Sequence, residues 1–212
     1  IKNLLKKEYI MKLYENVIIG NFLYTLGLNI GINKELPKYS SINLLQQTPA
    51  DKALGDVLLE FPGVVRLIEF KNKKSNKEKE KTRLKLLEMA LSGEDKMIDI
   101  SRQIHWYIET EPSKDSCFNR IVPYLDAFDN EVHGEDTIEP YIEMIVQEIN
   151  RPFDNSKHQD IKDYLKLIQM TQGSSSTGTG GLIINITEKG IRYVQITDLL
   201  DLRLNLKEFI NK

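Results

Sequence analysis

Asp56-Val-Leu-Leu-Glu-Phe61, Pro62-Gly63, Val64-Val-Arg-Leu-Ile-Glu-Phe-Lys71: two β-branched and aromatic runs stand either side of a Pro-Gly turn signal, the pattern of a hairpin. With the turn centred between Pro62 and Gly63, antiparallel partners carry numbers that sum to 125, so Phe61 faces Val64, Leu58 faces Leu67 and Asp56 faces Glu69. L-Pro-Gly fits the primed two-residue turns poorly, but a symmetric widening of the loop keeps this pairing and only a bulge breaks it. Directly opposed residues have Cβ atoms ~4.5–5.5 Å apart, and like charges there destabilise unless a cation lies between them. A divalent metal ion would supply that cation. Lys71, two residues beyond Glu69, projects from the same face of the strand about 7 Å farther along.

Two carboxylates and an amine in this arrangement are the components of metal-dependent phosphodiester hydrolysis. Carboxylate oxygens hold Mg²⁺, the metal activates water, and a cation stabilises negative charge as it develops. On this reading Asp56 and Glu69 are the ligands and Lys71 orients or activates the nucleophile. Glu60 lies on the same strand face as Asp56 and replaces it as the metal acid if a bulge shifts the register.

Outward from the hairpin the chain divides by pattern. Leu4, Leu5, Ile10, Leu13, Val17, Ile18 and Leu23 fall near a 3.6-residue period, which predicts a helix over the first ~30 residues, with Glu15 inside it. Asn33 to Asp51 reads as a connection with little regular structure. Asn76 to Leu91 predicts a charged helix with an apolar stripe at Leu84, Leu87 and Leu91. Met97 to Glu109 carries Ile100, Ile104 and Ile108 at spacing four and reads as a helix, with a strand from Ile104 onward as the alternative. Further helices are expected at 116–128, 138–150 and 156–171, and Gly173 to Gly181 reads as a low-complexity flexible loop. Leu182 to Ile186 and Ile191 to Ile196 flank Thr187-Glu-Lys-Gly190, a second hairpin signal, and a short helix is expected at 198–211. The expected organisation is a single domain over 1–212: a core over 1–110, a helical elaboration over 111–172, and a loop, hairpin and terminal helix over 173–212.

The 212 residues are 41% hydrophobic and 28% charged, with 12 Gly and 7 Pro, a composition that excludes global disorder, collagen and a coiled coil. No apolar stretch approaches the ~20 residues of a membrane-spanning helix. The one cysteine, Cys117, excludes an internal disulfide and a thiolate-rich zinc site and fits a reducing cytoplasm. No secretion signal is evident at the start, so a soluble cytoplasmic protein is expected. The net charge of -2 hides a segregation: from Lys71 to Lys85 eight Lys/Arg stand against two Glu, whereas acids outnumber bases from Glu109 to Asp163. A basic segment beside an acidic one suggests a polyanion-facing surface and a separate partner-facing surface. The acidic loop from Asp126 to Asp136 fails as a calcium loop, because Pro140 stands where the bidentate Glu is needed. His105, His133 and His158 lie in dissimilar contexts and suggest no histidine-centred hydrolase.

Asp56, twelve intervening residues and then Glu69-Phe70-Lys71 on an apolar strand resembles the Asp…(Asp/Glu)-X-Lys signature of the PD-(D/E)XK nuclease superfamily. The resemblance covers about residues 10–110. Gly55 stands where many members carry a Pro before the first acid. The resemblance implies an α/β fold, a mixed sheet flanked by helices as in restriction endonucleases, here with an added helical region and a C-terminal hairpin. It implies Mg²⁺ or Mn²⁺ as cofactor, held by Asp56 and Glu69, with Glu15 from the first core helix as an additional acid. Some branches carry Gln-X-X-X-Tyr on a later helix, and Gln103-Ile-His-Trp-Tyr107 is similar, with both residues on one helical face. Lys73, Lys74 and Lys77 are the expected phosphate contacts. The implied activity is hydrolysis of nucleic acid, DNA favoured over RNA, in a regulated setting such as defence against foreign DNA. A protein partner or a second copy would supply control. The alternative is an inactive nuclease-fold module that binds nucleic acid or docks a partner.

Overall fold

The computed structural model describes residues 14–34, 36–37, 39–46, 54–111, 117–151, 157–171, 181–187 and 190–196. Strands β2 (Val57–Phe61) and β3 (Val64–Asn72) form the expected hairpin in the expected register: Phe61 pairs with Val64, Leu58 with Leu67 and Val57 with Ile68. Asp56, just before β2, continues the ladder by donating its N–H to the Ile68 carbonyl at 3.1 Å. All of β2 and the first seven residues of β3 are buried. A strand buried on both faces shows a near-continuous apolar run, which is why neither sequence alternates cleanly.

The hairpin is the centre of a seven-stranded mixed sheet of order β5-β4-β3-β2-β1-β6-β7. β1 (Tyr39–Leu44) pairs antiparallel with β2. This corrects the expectation of an irregular connection there: Tyr39-Ser-Ser-Ile-Asn-Leu44 has a weak strand signature of its own, and two neighbouring ladders hold it in place. β6 (Gly181–Thr187) and β7 (Gly190–Ile196) form the second predicted hairpin and extend the sheet beyond β1. On the other side β4 (His105–Thr110) runs parallel to β3, and β5 (Phe118–Pro123) is antiparallel to β4.

A parallel pair requires a crossover, supplied here by α2 (Glu78–Ala90) and α3 (Asp95–Ile104). The helix expected to run through residue 109 therefore ends at Ile104, and His105 onward is strand. Spacing four suits a helical turn and is also twice the strand period, so Ile100, Ile104 and Ile108 fit both. The aromatic run His105-Trp-Tyr and the open edge of β3 decide for the strand. The helix expected over 116–128 is likewise replaced by β5 and a 3-10 turn at Tyr124–Asp126. The helices α4 (Glu139–Glu148) and α5 (Lys157–Thr171) lie where expected. Of the loop expected over Gly173 to Gly181, residues 173–180 lie outside the described residues and Gly181 opens β6; the terminal helix expected over 198–211 and the part of the first helix before residue 14 also lie outside them.

Helix α1 (Glu15–Ile32) and α4 cover one face of the sheet, where Ile19, Phe22, Leu26 and Ile30 meet Tyr141, Ile142 and Ile145 over Val57, Leu59, Ile68 and Phe70. The opposite face carries α2, α3 and α5, with Leu84, Leu87, Ile100, Ile104, Tyr164 and Ile168 packed on Leu58, Val65, Leu67 and Tyr107. The segment expected as a helical elaboration thus contributes β5 to the sheet and one helix to each layer. Among the described residues no helix is long and apolar enough to cross a membrane.

Candidate active site

Side chains alternate along a strand, so Glu69 and Lys71 follow Leu67 onto the face covered by α2, and Asp56 lies on that face in line with Leu58. There, at the end of the hairpin remote from Pro62-Gly63, a cavity of about 520 Å³ is lined by Glu15, Gln46, Asp56, Glu69, Lys71, Glu80 and Arg83, with Lys79 at its wall. The three residues singled out in the sequence open into one space.

Asp56 is 3% exposed. Its Oδ2 accepts the Phe70 N–H at 2.7 Å and its Oδ1 accepts from Gln46 Nε2 at 3.2 Å. Burial pushes its carboxyl up to about 6, against the pull of Lys71, the Phe70 N–H and Gln46. Glu69, equally buried, places Oε1 at 2.5 Å from Lys71 Nζ and 3.9 Å from Arg83 Nη1. Burial holds its carboxyl well above the usual range, and the charges of Asp56 and Glu80 add to that against the pull of Lys71. For Lys71, burial works to lower the ammonium, but Glu69, Asp56 and Glu80 outweigh it and raise its pKa above the ordinary lysine value. Lys71 is therefore a fixed cation at neutral pH.

Two coupled carboxyls, each pushed toward its protonated form, are a donor set that a cation would relieve. Among the described residues no group of three or more His, Cys, Asp or Glu is placed to hold a metal ion. An ion here would have two carboxylates as protein ligands and would take its remaining ligands from water. Asp56 and Glu69 would hold it. Glu15 lines the cavity, where its Oε1 accepts the Asn72 N–H at 2.9 Å and so secures the end of β3, and its charge adds to the upward push on Asp56.

The structure separates the other predicted residues. Gln103 closes α3, where its Oε1 accepts from Lys157 Nζ at 3.0 Å, whereas Tyr107 is buried on β4 with its ring 5.6 Å from Phe128. They share no helical face, because the helix ends between them. Burial raises the Tyr107 hydroxyl, as do the charges of Glu109, Glu80 and Glu69, but Tyr107 does not line the cavity. Lys73 is paired with Glu111 at 2.7 Å and Lys77 with Glu109, so a phosphate would have to compete with these carboxylates. Lys74 is exposed and its backbone N–H donates to Asn72 Oδ1. Glu60, buried on β2 opposite Val65, does not line the cavity, and the unbulged ladder leaves Asp56 as the residue that does.

Sequence reasoning missed Glu80. It is 3% exposed, its Oε1 accepts from Tyr124 Oη at 2.5 Å, and its Oε2 lies 3.4 Å from Arg83 Nη1. The signal was present: Glu80, Leu84, Leu87 and Leu91 fall at helical spacing, which puts a carboxylate on the stripe that packs against the sheet. Arg83 bridges Glu69 and Glu80, so the buried charges form one network running from Lys71 to Tyr124. Comparison of the chain with protein-family models, with curated proteins and with solved structures found no match.

Proposed function

We propose that this chain is a divalent-metal-dependent nuclease of PD-(D/E)XK type with a restriction-endonuclease-like core, acting on nucleic acid and on DNA by preference. One observation supports the reading above the others: Asp56, Glu69 and Lys71, chosen from spacing and hairpin arithmetic, converge on one polar cavity as two buried acids beside a half-buried cation. Asp56 and Glu69 are the ligands for Mg²⁺ or Mn²⁺, which when bound polarises the phosphodiester and supplies an activated water. The Phe70 N–H and Gln46 orient Asp56, and Glu15 fixes the end of the strand that carries Lys71. Lys71 acts here as a cation. It donates to the water or to a phosphate oxygen and stabilises the charge of the transition state. Lys79 at the cavity wall extends this positive field toward the backbone of the substrate.

The test incubates the purified chain with plasmid, linear and single-stranded DNA and with RNA, in Mg²⁺, Mn²⁺ or EDTA, beside Asp56→Ala and Lys71→Ala. Cleavage that requires metal and is lost in both variants is the expected result. Salt-sensitive binding without product in any metal would assign the chain to the binding-module alternative, and cleavage surviving in both variants would place the activity elsewhere.

A further inference from the structure

A second cavity, of about 470 Å³, lies at the opposite end of the hairpin and is within the ~300–1,000 Å³ range of small-molecule sites. Arg66, which lines it, is five residues before Lys71 on β3, ~17 Å along the strand, so the two cavities are distinct. Its wall comes from the β2–β3 turn, the ends of α3 and α4, the start of α5, and Trp106 of β4.

Four cations line this cavity, Arg66, Arg102, Arg151 and Lys157, against one acid, Glu148. Two are already neutralised: Arg66 Nη2 lies 2.7 Å from Glu148 Oε2, and Arg102 makes a bidentate pair with Asp126 at 2.6 and 2.9 Å. Among the described residues Lys157 gives its ammonium to the neutral Gln103 amide and exposed Arg151 has no ion pair. Two cations from different segments, with no carboxylate paired to them among the described residues, therefore share one concave space. Trp106 supplies an indole there, with the tilted Tyr141 ring at 4.8 Å and the Arg66 guanidinium over the ring, 6.0 Å from its centroid. Cations beside an aromatic plane match a ligand with an anion at one end and a flat ring at the other.

We infer that this cavity binds a nucleotide phosphate monoester, free or at the end of a strand, with the phosphate on Arg151 and Lys157 and the base against Trp106. The site needs no metal and none of the groups of the other cavity. It goes beyond the proposed activity and does not depend on it.

Isothermal titration of the full chain in EDTA tests the inference, with AMP, adenosine, inorganic phosphate and a short oligonucleotide with and without a 5′-phosphate as probes. AMP or the 5′-phosphorylated oligonucleotide is expected to bind saturably, to be displaced by inorganic phosphate, and to bind at least about tenfold more tightly than its unphosphorylated counterpart. The stronger of the two identifies the source. Arg151→Ala and Lys157→Ala, both at the rim, should each weaken binding about tenfold with unchanged Tm, whereas Lys71→Ala should leave it intact. Absence of binding by either phosphorylated probe, equal affinity for adenosine and AMP, or binding lost in Lys71→Ala but retained in the rim variants would each overturn the inference.

Discussion

Replacing Asp56 by Asn should make the protein more stable at pH 8 even as it removes the proposed metal site. The Asp56 carboxyl is pushed from an ordinary 3.8 to about 6, chiefly by burial. The folded state thus holds this proton to higher pH than the unfolded chain does. Stability is lost as pH rises from about 4 through about 6, and the deficit is complete above that. A displacement of about two pH units corresponds to about 3 kcal/mol. Glu69, raised by burial and by Asp56, acts in the same direction. Asparagine is neutral at every pH, and its oxygen can still accept the Phe70 N–H once the Gln46 amide rotates to offer its own oxygen to the new NH₂ group. At roughly 2–4 °C per kcal/mol for a chain of this size, Asp56→Asn should raise Tm by about 6–12 °C at pH 8 and by almost nothing at pH 4. Thermal unfolding followed by circular dichroism in EDTA, at both pH values, reads this directly. A variant less stable than the wild type at pH 8, or shifted equally at both pH values, would refute the assignment of Asp56 as a buried, strained carboxylate.

Other substitutions probe the frame. Gly63 donates its N–H to the Ile149 carbonyl at 2.8 Å, and a Cβ there would run into the Glu148 carbonyl oxygen and stand 2.7 Å from that of Arg151. Because both obstacles are backbone, Gly63→Ala should cost at least about 1–3 kcal/mol in urea unfolding. Tyr164 joins Ser101 Oγ at 2.7 Å to His105 Nδ1 at 2.9 Å inside the core. Tyr164→Phe should cost about 1–3 kcal/mol for each group left unpaired, and a loss below that range would mean the pair finds other partners. Glu80→Gln keeps an acceptor for Tyr124 but removes a charge that raises Glu69. The acid limb of the cleavage pH profile should therefore move to lower pH, and an unmoved limb would detach Glu80 from the site.

The sequence made the hairpin legible because its two signals agree: the Pro-Gly turn fixes the centre, and β-branched runs on both sides fix the type. The register followed, and from it the shared face of Asp56, Glu69 and Lys71. Elements whose signal depends on context were not legible. β1 is Tyr-Ser-Ser-Ile-Asn-Leu, and it is a strand because β2 and β6 hold it on both sides. β4 was hidden by a spacing of isoleucines common to both periodicities, and that ambiguity carried Gln103 and Tyr107 onto a helical face that does not exist. Ion pairing was equally out of reach. The Lys73 and Lys77 partners, Glu111 and Glu109, lie more than thirty residues away in the chain and meet these lysines only because β4 runs parallel to β3. Glu80 is different, since its place on an apolar stripe was open to inspection and marked a buried acid before any fold was known.

In the proposed site Asp56 and Glu69 together hold one divalent ion beside a cationic Lys71. Mn²⁺ titration by calorimetry at pH 6, run in two buffers of different ionisation enthalpy, tests it without any substrate. Because both carboxyls hold protons unusually well, metal binding should expel protons. The account predicts saturable binding with heats that differ between the buffers, abolished in Asp56→Asn and in Glu69→Gln. Heats no larger than dilution for the wild type, or binding that survives in both variants, would contradict it.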